Sequence, residues 1–194
     1  MKTIDYYNKH AEEFTASTVE IDMESLYPPF LAELPEGARI LDVGCGSGRD
    51  TLAFKNKGYH IDAIDYSEEL IKKATELTGI QVKYQSFYEL SEVAVYDGIW
   101  ACASLLHCQR HRLAEVLQRL LRALKPGGVI YMSFKYGDSD REKGGREFTD
   151  LNECQAEELL EKFSHVSLIH QWIMVDKRPE REEQWLNLLW KKND

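Results

Sequence analysis

The sequence predicts an α/β fold built on a doubly wound, mostly parallel sheet. Short aliphatic runs alternate with amphipathic segments between residues 39 and 134, which is typical of parallel strands joined by right-handed helical crossovers. One run, 98–103, is continuously apolar, as expected of a strand buried on both faces. The glycine cluster 44–48 lies directly between a predicted strand and a predicted helix, where sheets of this kind bind ligands.

The first 38 residues are predicted to form a helical cap in two segments. The first segment is polar, with helical spacing of its few apolar residues. The second contains the adjacent prolines Pro28 and Pro29, which interrupt a helix because proline lacks the backbone N–H. The two segments cover residues 4–14 and 23–34, and a Pro-Glu-Gly turn at 35–37 follows them.

Residues 39–134 are predicted to form the core of the sheet. Each strand is a short aliphatic or β-branched run, and each helix repeats apolar residues at a spacing of three or four. Gly58 follows the first helix where a C-terminal cap belongs, and a Pro-Gly-Gly turn ends the last helix. The predicted strands are 39–43, 60–64, 81–85, 98–103 and 129–134, and the predicted helices are 49–56, 67–77 and 113–124.

The remaining residues, 135–194, are predicted to add a substrate loop and an edge hairpin. Two strand-like segments are separated by a charged, proline-containing stretch, which is typical of a hairpin on the edge of a sheet. No linker separates this part, so the 194 residues are predicted to form one domain. The predicted elements are a charged loop at 135–147, a helix at 152–163, and strands at 165–175 and 184–190 around the stretch 176–183.

The charge balance argues against a nucleic-acid substrate. The chain has 24 Lys and Arg residues against 33 Asp and Glu residues, a net charge of −9, whereas proteins that bind phosphate backbones carry a basic balance or stripe. No apolar run approaches the roughly 20 residues of a membrane span, residues 1–10 lack an apolar signal segment, and the four cysteines are scattered without a CxxC pair. We expect a cytoplasmic, reduced protein without nucleic-acid or membrane partners and without a metal site, whose oligomeric state stays open.

The glycine cluster is the first candidate binding motif. Gly44, Gly46 and Gly48 allow a tight turn that brings bare backbone N–H groups to the positive end of the following helix. Asp65 ends the next predicted strand, about 20 residues on, where an acid accepts hydrogen bonds from ribose hydroxyls. The two motifs together predict a site for an adenosine-bearing cofactor. The alternative interpretation is a tight turn and a solvated loop acid.

The spacing of the glycines distinguishes between cofactors. Dinucleotide sites favour Gly-x-Gly-x-x-Gly, in which the third glycine packs helix against strand beside the pyrophosphate. Here Arg49 occupies that position, and the third glycine comes one residue earlier. This spacing favours a ligand without a pyrophosphate.

Four motifs, in order, resemble the class I S-adenosylmethionine-dependent methyltransferases. The resemblance covers residues 39–134 and extends more loosely to the rest, and it implies a seven-stranded sheet whose last strand pair is antiparallel. Gly48-Arg49 and Phe148-Thr149 also resemble the tellurite-resistance-type subgroup, whose members act on small molecules. The four motifs are the glycine motif 41–48, the second strand 61–67, the fourth strand with its following turn at 96–107, and the Leu-Lys-Pro-Gly-Gly turn at 124–128.

The resemblance implies S-adenosylmethionine as the cofactor and a role for each matching residue. The glycine loop would back the methionine part with main chain, Asp65 would hold the ribose, and Tyr66 would flank the adenine. The family often has an acid near the adenine amino group where this chain has Ser86-Phe87, and Phe87 is expected to contribute packing or a main-chain contact instead. The implied cofactor-binding set is Asp42, Gly44, Cys45, Gly46, Gly48, Arg49, Asp65, Tyr66, Phe87 and Ala103.

His107, just after the fourth predicted strand, is the candidate general base. Methyl transfer needs such a base only if the acceptor arrives protonated, and the alternative is a turn histidine with a satisfied ring. The Asn/Asp-Pro-Pro-aromatic tetrapeptide of adenine methyltransferases and the Pro-Cys of cytosine-C5 enzymes are both absent, so a small-molecule acceptor is favoured. A methyltransferase for a protein or RNA side chain, and a non-catalytic module that binds an adenosyl ligand, stay open as alternatives.

The acceptor is expected to meet the loop after the fifth strand. Tyr136 and Arg146 are the candidate substrate residues, because this loop lies at the carboxyl edge of the sheet where ligands bind. Its basic side chains would receive an anionic substrate; the alternative is a solvated charged loop. Tyr6, Tyr7 and His10 are predicted to contribute to a lid, with a solvated helix as the alternative.

Overall fold

A computed structural model describes residues 2–178 and 181–194 of the chain. Within these residues the backbone forms helices and strands in the alternating order that the sequence predicts. The α-helices are α1 (Lys2–Lys9), α2 (Ala11–Thr18), α3 (Tyr27–Leu31), α4 (Arg49–Asn56), α5 (Glu68–Thr78), α6 (Leu113–Ala123) and α7 (Glu153–Leu160). The strands are β1 (Arg39–Val43), β2 (His60–Asp65), β3 (Lys83–Tyr84), β4 (Tyr96–Ala101), β5 (Leu124–Lys135), β6 (Asp140–Lys143), β7 (Arg146–Thr149), β8 (Val166–Val175) and β9 (Gln184–Lys192).

Among the described residues, seven strands form one sheet in the order β3-β2-β1-β4-β5-β9-β8. The first five strands are parallel, while β9 runs antiparallel to both β5 and β8. This arrangement confirms the predicted α/β fold with an antiparallel C-terminal strand pair. None of the helices in the described part of the chain is long and apolar enough to cross a bilayer.

The sheet is buried on both faces, and each face has its own apolar layer. On one face Trp100 of β4 stacks on Tyr131 of β5, with ring centroids 3.9 Å apart, and Phe30 of α3 and Phe54 of α4 pack against Trp100. On the other face α6 buries a stripe of leucines and a valine against the sheet. Fully burying one such side chain contributes about 1.5–3 kcal/mol to folding, so these two layers fix the sheet that carries the site.

Local sequence signals set the ends of the helices around the site. The Ser67 hydroxyl accepts a hydrogen bond from the Leu70 N–H at the start of α5, and Gly79 ends this helix in the left-handed conformation. Asn152 and Gln155 form a reciprocal capping box at the start of α7. These caps place the loops that follow β2 and β7 at defined positions.

Several predicted elements differ from the structure. The N-terminal stretch 4–14 is not one helix but two, α1 and α2, which meet at His10. Strand β3 has only two residues, and the predicted turn 126–128 lies inside β5 as a bulge that shifts the register against β4. The predicted helix 23–34 is reduced to a short 3₁₀ turn and α3. Of the stretch 176–183 predicted to separate the last two strands, residues 179 and 180 lie outside the described residues.

The charged loop predicted at 135–147 is instead a β-hairpin, β6 paired antiparallel with β7. Arg141 of β6 forms an ion pair with the buried Asp150 at 2.5 Å, and Arg110 binds Asp140 at 2.8 Å. Because these partners come from outside the two short strands, the hairpin depends on tertiary contacts rather than on its own apolar content.

The N-terminal helices lie across the carboxyl end of the sheet. The Asn8 side chain of α1 accepts a hydrogen bond from the Ser67 hydroxyl at 2.7 Å. The Thr3 hydroxyl accepts one from the Glu147 N–H of β7 at 3.0 Å. Helix α1 therefore joins the loop after β2 to the hairpin and covers the space between them.

Candidate functional site

The turn between β1 and α4 requires glycine at its first position. Gly44 adopts a φ of +70°, and a Cβ atom built there would lie 2.6 Å from the Cβ of Ser104. Gly46 has a φ of +57°, and a Cβ there would lie 3.2 Å from the Phe14 ring. The turn is therefore held between the loop after β4 and helix α2, with no room for a side chain at Gly44 and little at Gly46.

The backbone N–H groups of Gly44, Cys45 and Gly46 are already used within the protein, so the prediction that these groups are bare donors is wrong. The Gly44 and Cys45 N–H groups both donate to the Ile64 carbonyl of β2, at 2.8 and 3.1 Å. The Gly46 N–H donates to the Asp65 carboxylate at 2.9 Å. The turn folds back onto the end of β2, and what it offers a ligand is a close approach of the backbone rather than free N–H groups.

Gly48, which the sequence analysis places in the cofactor-binding set, does not face a cavity. It begins α4 with a φ of +83°, and a Cβ there would lie 3.0 Å from the Ala74 Cβ and 3.0 Å from the Thr78 Cγ2 of α5. Its small size therefore lets α4 and α5 pack together. The assignment of Gly48 to the ligand is corrected to a helix-packing role.

Asp65 lies at the carboxyl end of β2, as predicted, and its carboxylate is buried. One oxygen accepts from the Gly46 N–H and the other from the Ser67 N–H at 2.8 Å. Burial raises the pKa of Asp65, and these two N–H donors oppose that rise. Each oxygen keeps acceptor capacity for a ligand hydroxyl.

Two adjoining cavities open at this edge of the sheet. The larger has a volume of about 470 Å³ and the smaller about 320 Å³. Strand β1 pairs with β2 on one side and β4 on the other, so this edge is the topological switch point at which sheets of this type bind ligands. The residues that line both cavities are Tyr7, Phe14, Gly44, Gly46, Ala103 and His107.

The smaller cavity runs from the glycine turn toward β3. Asp65, Tyr66 and Phe87 line it, as the sequence analysis expects, and Tyr66 stacks on Tyr84 with centroids 4.8 Å apart. The Ser104 hydroxyl also lines this cavity, and it is buried without a hydrogen-bond partner among the described residues. An unsatisfied buried hydroxyl beside a carboxylate and exposed aromatic rings fits a ligand that carries both polar groups and a flat base.

The larger cavity contains a buried charge cluster centred on Asp50, a residue that the sequence analysis missed. Its carboxylate accepts from the Tyr27 hydroxyl at 2.7 Å, the Trp100 indole N–H at 2.8 Å and the Arg49 guanidinium at 2.7 and 3.0 Å. Burial alone would raise the pKa of Asp50, but Arg49 beside it brings the pKa below its usual value. Asp50 is therefore a buried, charged carboxylate in the first turn of α4 that binds three other side chains.

Asp42 and Arg49, both predicted cofactor residues, also line the larger cavity. Asp42 accepts a hydrogen bond from the Thr51 hydroxyl at 2.6 Å, and burial, with the nearby Asp50 charge, raises its pKa. The Arg49 guanidinium forms an ion pair with Asp50. Cys45 and Ala103 also line this cavity, so the structure brings these four predicted residues together. Ala103 has a left-handed backbone, with a φ of +52°. Their roles toward a ligand stay predictions.

His107 lies between the two cavities with both ring nitrogens engaged. Its Nδ1 lies 2.7 Å from the Glu147 carbonyl, which only accepts, so Nδ1 carries the proton. Its Nε2 lies 2.9 Å from the Tyr7 hydroxyl, which therefore donates to it. Burial lowers the pKa of His107 to about 4. The ring is neutral and links the N-terminal helix to the hairpin.

We expect the low pKa of His107 to make the fold sensitive to acid. The unfolded chain binds a proton near the ordinary pKa of about 6.5, whereas the folded chain binds it only near about 4. Stability is therefore full above the unfolded value and is lost as the pH falls toward the folded value, by about 2 kcal/mol between roughly pH 7 and 5.

Urea denaturation at these two pH values measures this loss. The free energy of unfolding of His107→Gln is expected to depend less on pH than that of the wild type. His111→Gln, which replaces an exposed histidine four residues along the chain, should leave this pH dependence unchanged. An equal pH dependence in His107→Gln and the wild type would contradict the assignment.

The two candidate substrate residues have different positions. Arg146, at the start of β7, lines the larger cavity. Tyr136 does not: it is exposed, and its hydroxyl donates to Glu153 at 2.9 Å. Because Tyr136 lines neither cavity, its assignment to the substrate is wrong. Lys135, one residue earlier, lines the cavity in its place and forms an ion pair with Glu183.

Helices α1 and α2 contribute to the walls of both cavities, although only one of the three residues predicted for a lid, Tyr7, lines them. A lid function of these helices stays a prediction. Tyr7 lines both cavities, and burial raises the pKa of its phenol while Arg146 opposes that rise. Tyr6 and His10 stack on each other with centroids 4.4 Å apart. Phe14, which the sequence analysis did not single out, covers the glycine turn.

A family model for a methyltransferase domain matches residues 40–128. The chain is 39% identical over 104 residues to a ubiquinone biosynthesis O-methyltransferase from Xylella fastidiosa (strain 9a5c), a match that covers 50% of this chain and 42% of that protein. It is 26% identical over 168 residues to an uncharacterized methyltransferase from Staphylococcus carnosus (strain TM300), which covers 79% of this chain and 81% of that protein. The match also spans about half the length of other curated relatives.

The fold is similar to that of a Burkholderia thailandensis 1,6-didemethyltoxoflavin-N1-methyltransferase, solved with 1,6-didemethyltoxoflavin and S-adenosylhomocysteine. The TM-score is 0.79 at 23% sequence identity, and the alignment covers 98% of this chain and 85% of that one. At this identity the likeness concerns the fold. The narrower expectation of a tellurite-resistance-type enzyme stays a prediction.

Proposed function

We propose that this chain, of which residues 40–128 match a model for a methyltransferase domain, is a class I S-adenosylmethionine-dependent methyltransferase that transfers the methyl group of S-adenosylmethionine to a small organic acceptor. One observation carries the proposal: two cavities meet at Ala103 and His107, and only one of them has the predicted ribose-binding acid. The smaller cavity then takes the adenosine of the cofactor, and the larger one takes its amino-acid tail and the acceptor.

The residues of the smaller cavity suit that ligand. Asp65 would accept hydrogen bonds from the ribose hydroxyls, and Tyr66 and Phe87 would flank the adenine. The unpartnered Ser104 hydroxyl is available to a polar group of the ligand. Gly44 and Gly46 allow the ligand to approach the backbone where a side chain would block it. When bound, the cofactor supplies an electrophilic methyl group on a sulfonium.

The contribution of the protein to the reaction would be alignment and the exclusion of water. Tyr7 and Phe14 close the two cavities from the N-terminal side, and holding two reactants in line contributes several kcal/mol to catalysis. If the acceptor arrives protonated, its proton would pass to the Tyr7 oxygen as the Tyr7 proton passes to Nε2 of His107, which already accepts that hydrogen bond. His107 stays the candidate base in this sense.

A small acceptor is favoured over a macromolecule. The larger cavity is roofed by the N-terminal helices and bounded by the hairpin, and the net charge of −9 does not attract a nucleic acid. The similar proteins include a ubiquinone biosynthesis O-methyltransferase and a 1,6-didemethyltoxoflavin-N1-methyltransferase solved with 1,6-didemethyltoxoflavin. A non-catalytic module is less favoured because the larger cavity extends beyond the predicted cofactor residues.

Two measurements test the proposed function. Calorimetry is expected to show that both S-adenosylmethionine and S-adenosylhomocysteine bind. Mass spectrometry of the protein with S-adenosylmethionine and a panel of small acceptors is then expected to show a methylated product. Failure to bind either cofactor form would refute the proposal. Binding without transfer to any compound would favour the module, and transfer only to protein or RNA would favour the other alternative.

A further inference from the structure

Arg146 is held over three aromatic rings at the wall of the larger cavity. Its guanidinium carbon lies 4.3 Å from the ring centroid of Tyr6, 5.9 Å from that of Tyr7 and 5.3 Å from that of Phe148. These three rings, named here the aromatic cage, come from the N-terminal helix and from β7. The cage fixes the direction of the guanidinium, because each ring face attracts the cation.

The charge of Arg146 has no carboxylate partner among the described residues. Its Nε is buried and makes no hydrogen bond. Three other cations that line the same cavity are paired: Lys135 with Glu183, Arg178 with Asp176 at 2.5 Å and Arg49 with Asp50 at 2.7 Å. Leaving a buried guanidinium donor unpaired costs free energy, and an anion that accepts from it recovers that cost.

The position of Arg146 places such an anion in the acceptor part of the site. Arg146 lines the same cavity as Ala103 and His107 but does not line the smaller cavity with Asp65. The aromatic side chains of Phe148 and Trp185 line the same cavity. A planar guanidinium fork matches the two oxygens of a carboxylate, and flat walls suit a ring.

We propose that Arg146 binds the carboxylate of the methyl acceptor, which is therefore a small, flat organic acid. This inference rests on the proposed function, since it takes the larger cavity as the acceptor site.

Binding of matched acid and amide pairs tests the proposal without any need for turnover. The protein is first saturated with S-adenosylhomocysteine and is then titrated with benzoate, 4-hydroxybenzoate and indole-3-acetate and with the three corresponding amides. For at least one pair the acid is expected to bind about tenfold or more tightly than the amide, because a charged partner strengthens the hydrogen bond.

Two variants assign that preference to one residue. Arg146→Gln should remove it, and Arg146→Lys should keep only part of it because lysine lacks the planar fork. Lys143→Gln makes the same change of charge directly opposite Arg146 in the hairpin and should keep most of the preference.

The outcomes separate this inference from the proposed function. If no pair shows an acid preference, or if Arg146→Gln keeps the preference of the wild type, the inference is wrong although S-adenosylhomocysteine binds. If the wild type does not bind S-adenosylhomocysteine at all, the proposed function itself fails. If Arg146→Gln and Lys143→Gln lose the acid preference equally, the preference comes from the positive electrostatic potential of the hairpin as a whole. That result would overturn the role of Arg146.

Discussion

Replacing Asp65 with alanine is expected to weaken the binding of S-adenosylhomocysteine by roughly 1–3 kcal/mol. The proposed ribose hydroxyls lose a charged acceptor, and the Gly46 N–H loses the carboxylate that holds the glycine turn at 2.9 Å. Both losses act on the same ligand, because the turn and the acid lie on one side of the smaller cavity. Isothermal titration of the wild type and the variant measures the difference directly.

Two further variants identify the cause of that loss. Asp62→Ala removes a carboxylate from the same strand, but one that pairs with Arg39 outside both cavities, so the affinity should not change. Asp65→Asn keeps the shape of the side chain while it removes the charge, and should give an intermediate affinity. An unchanged dissociation constant in Asp65→Ala would exclude Asp65 from the cofactor site.

Gly44→Ala is expected to be the most damaging single substitution in the turn. The left-handed backbone at this residue costs about 1–2 kcal/mol for an L side chain, and overpacking typically costs about 1–3 kcal/mol. The new Cβ would lie 2.6 Å from the Cβ of Ser104, so one of the two loops must move. Urea denaturation should therefore show a loss of about 2–5 kcal/mol, and the affinity for S-adenosylhomocysteine should fall with it.

Gly37→Ala and a double variant separate the two parts of this cost. Gly37 has a similar φ of +67° but nothing within 4 Å of the added Cβ, so its substitution should show only the backbone cost. Adding Ser104→Gly to Gly44→Ala removes the clash and should recover the overpacking part alone. If Gly44→Ala costs no more than Gly37→Ala, the close approach of the turn to Ser104 is not a constraint on the fold.

The helices and strands whose signals lie close to them in sequence could be predicted. Helix α4 was predicted at its observed bounds because a glycine precedes it and a glycine cap follows it. Strands β1 and β4 were predicted from apolar runs, 39–43 and 98–103, and β4 begins two residues before its predicted run. The position of Asp65 followed from the strand and from the distance to the glycines. These signals lie within a few residues of the features that they predict.

The features that the sequence did not predict depend on partners far along the chain. The hairpin of β6 and β7 has few apolar residues, and its Arg141 and Asp140 are paired with Asp150 and with Arg110, 30 residues away. Asp50 resembles an ordinary acid in the first turn of a helix. Its donors Tyr27 and Trp100 are 23 and 50 residues away in sequence, so its burial has no local signal.

The glycine cluster shows why a correct motif can still give a wrong detail. The sequence predicts a turn that needs glycine, and the structure has it. The use of the N–H groups depends on the end of β2, whose Ile64 carbonyl and Asp65 carboxylate receive three of them. A spacing rule cannot foresee this, because the acceptors belong to a different strand.

A crystal structure of the protein with S-adenosylhomocysteine tests the central claim most directly. The two adjoining cavities are predicted to hold one ligand, with the ribose hydroxyls about 2.5–3.0 Å from the Asp65 carboxylate, the adenine beside Tyr66 and the sulfur nearest to Ala103. A ligand whose ribose lies away from Asp65, or cavities that stay empty at saturating ligand, would contradict the account.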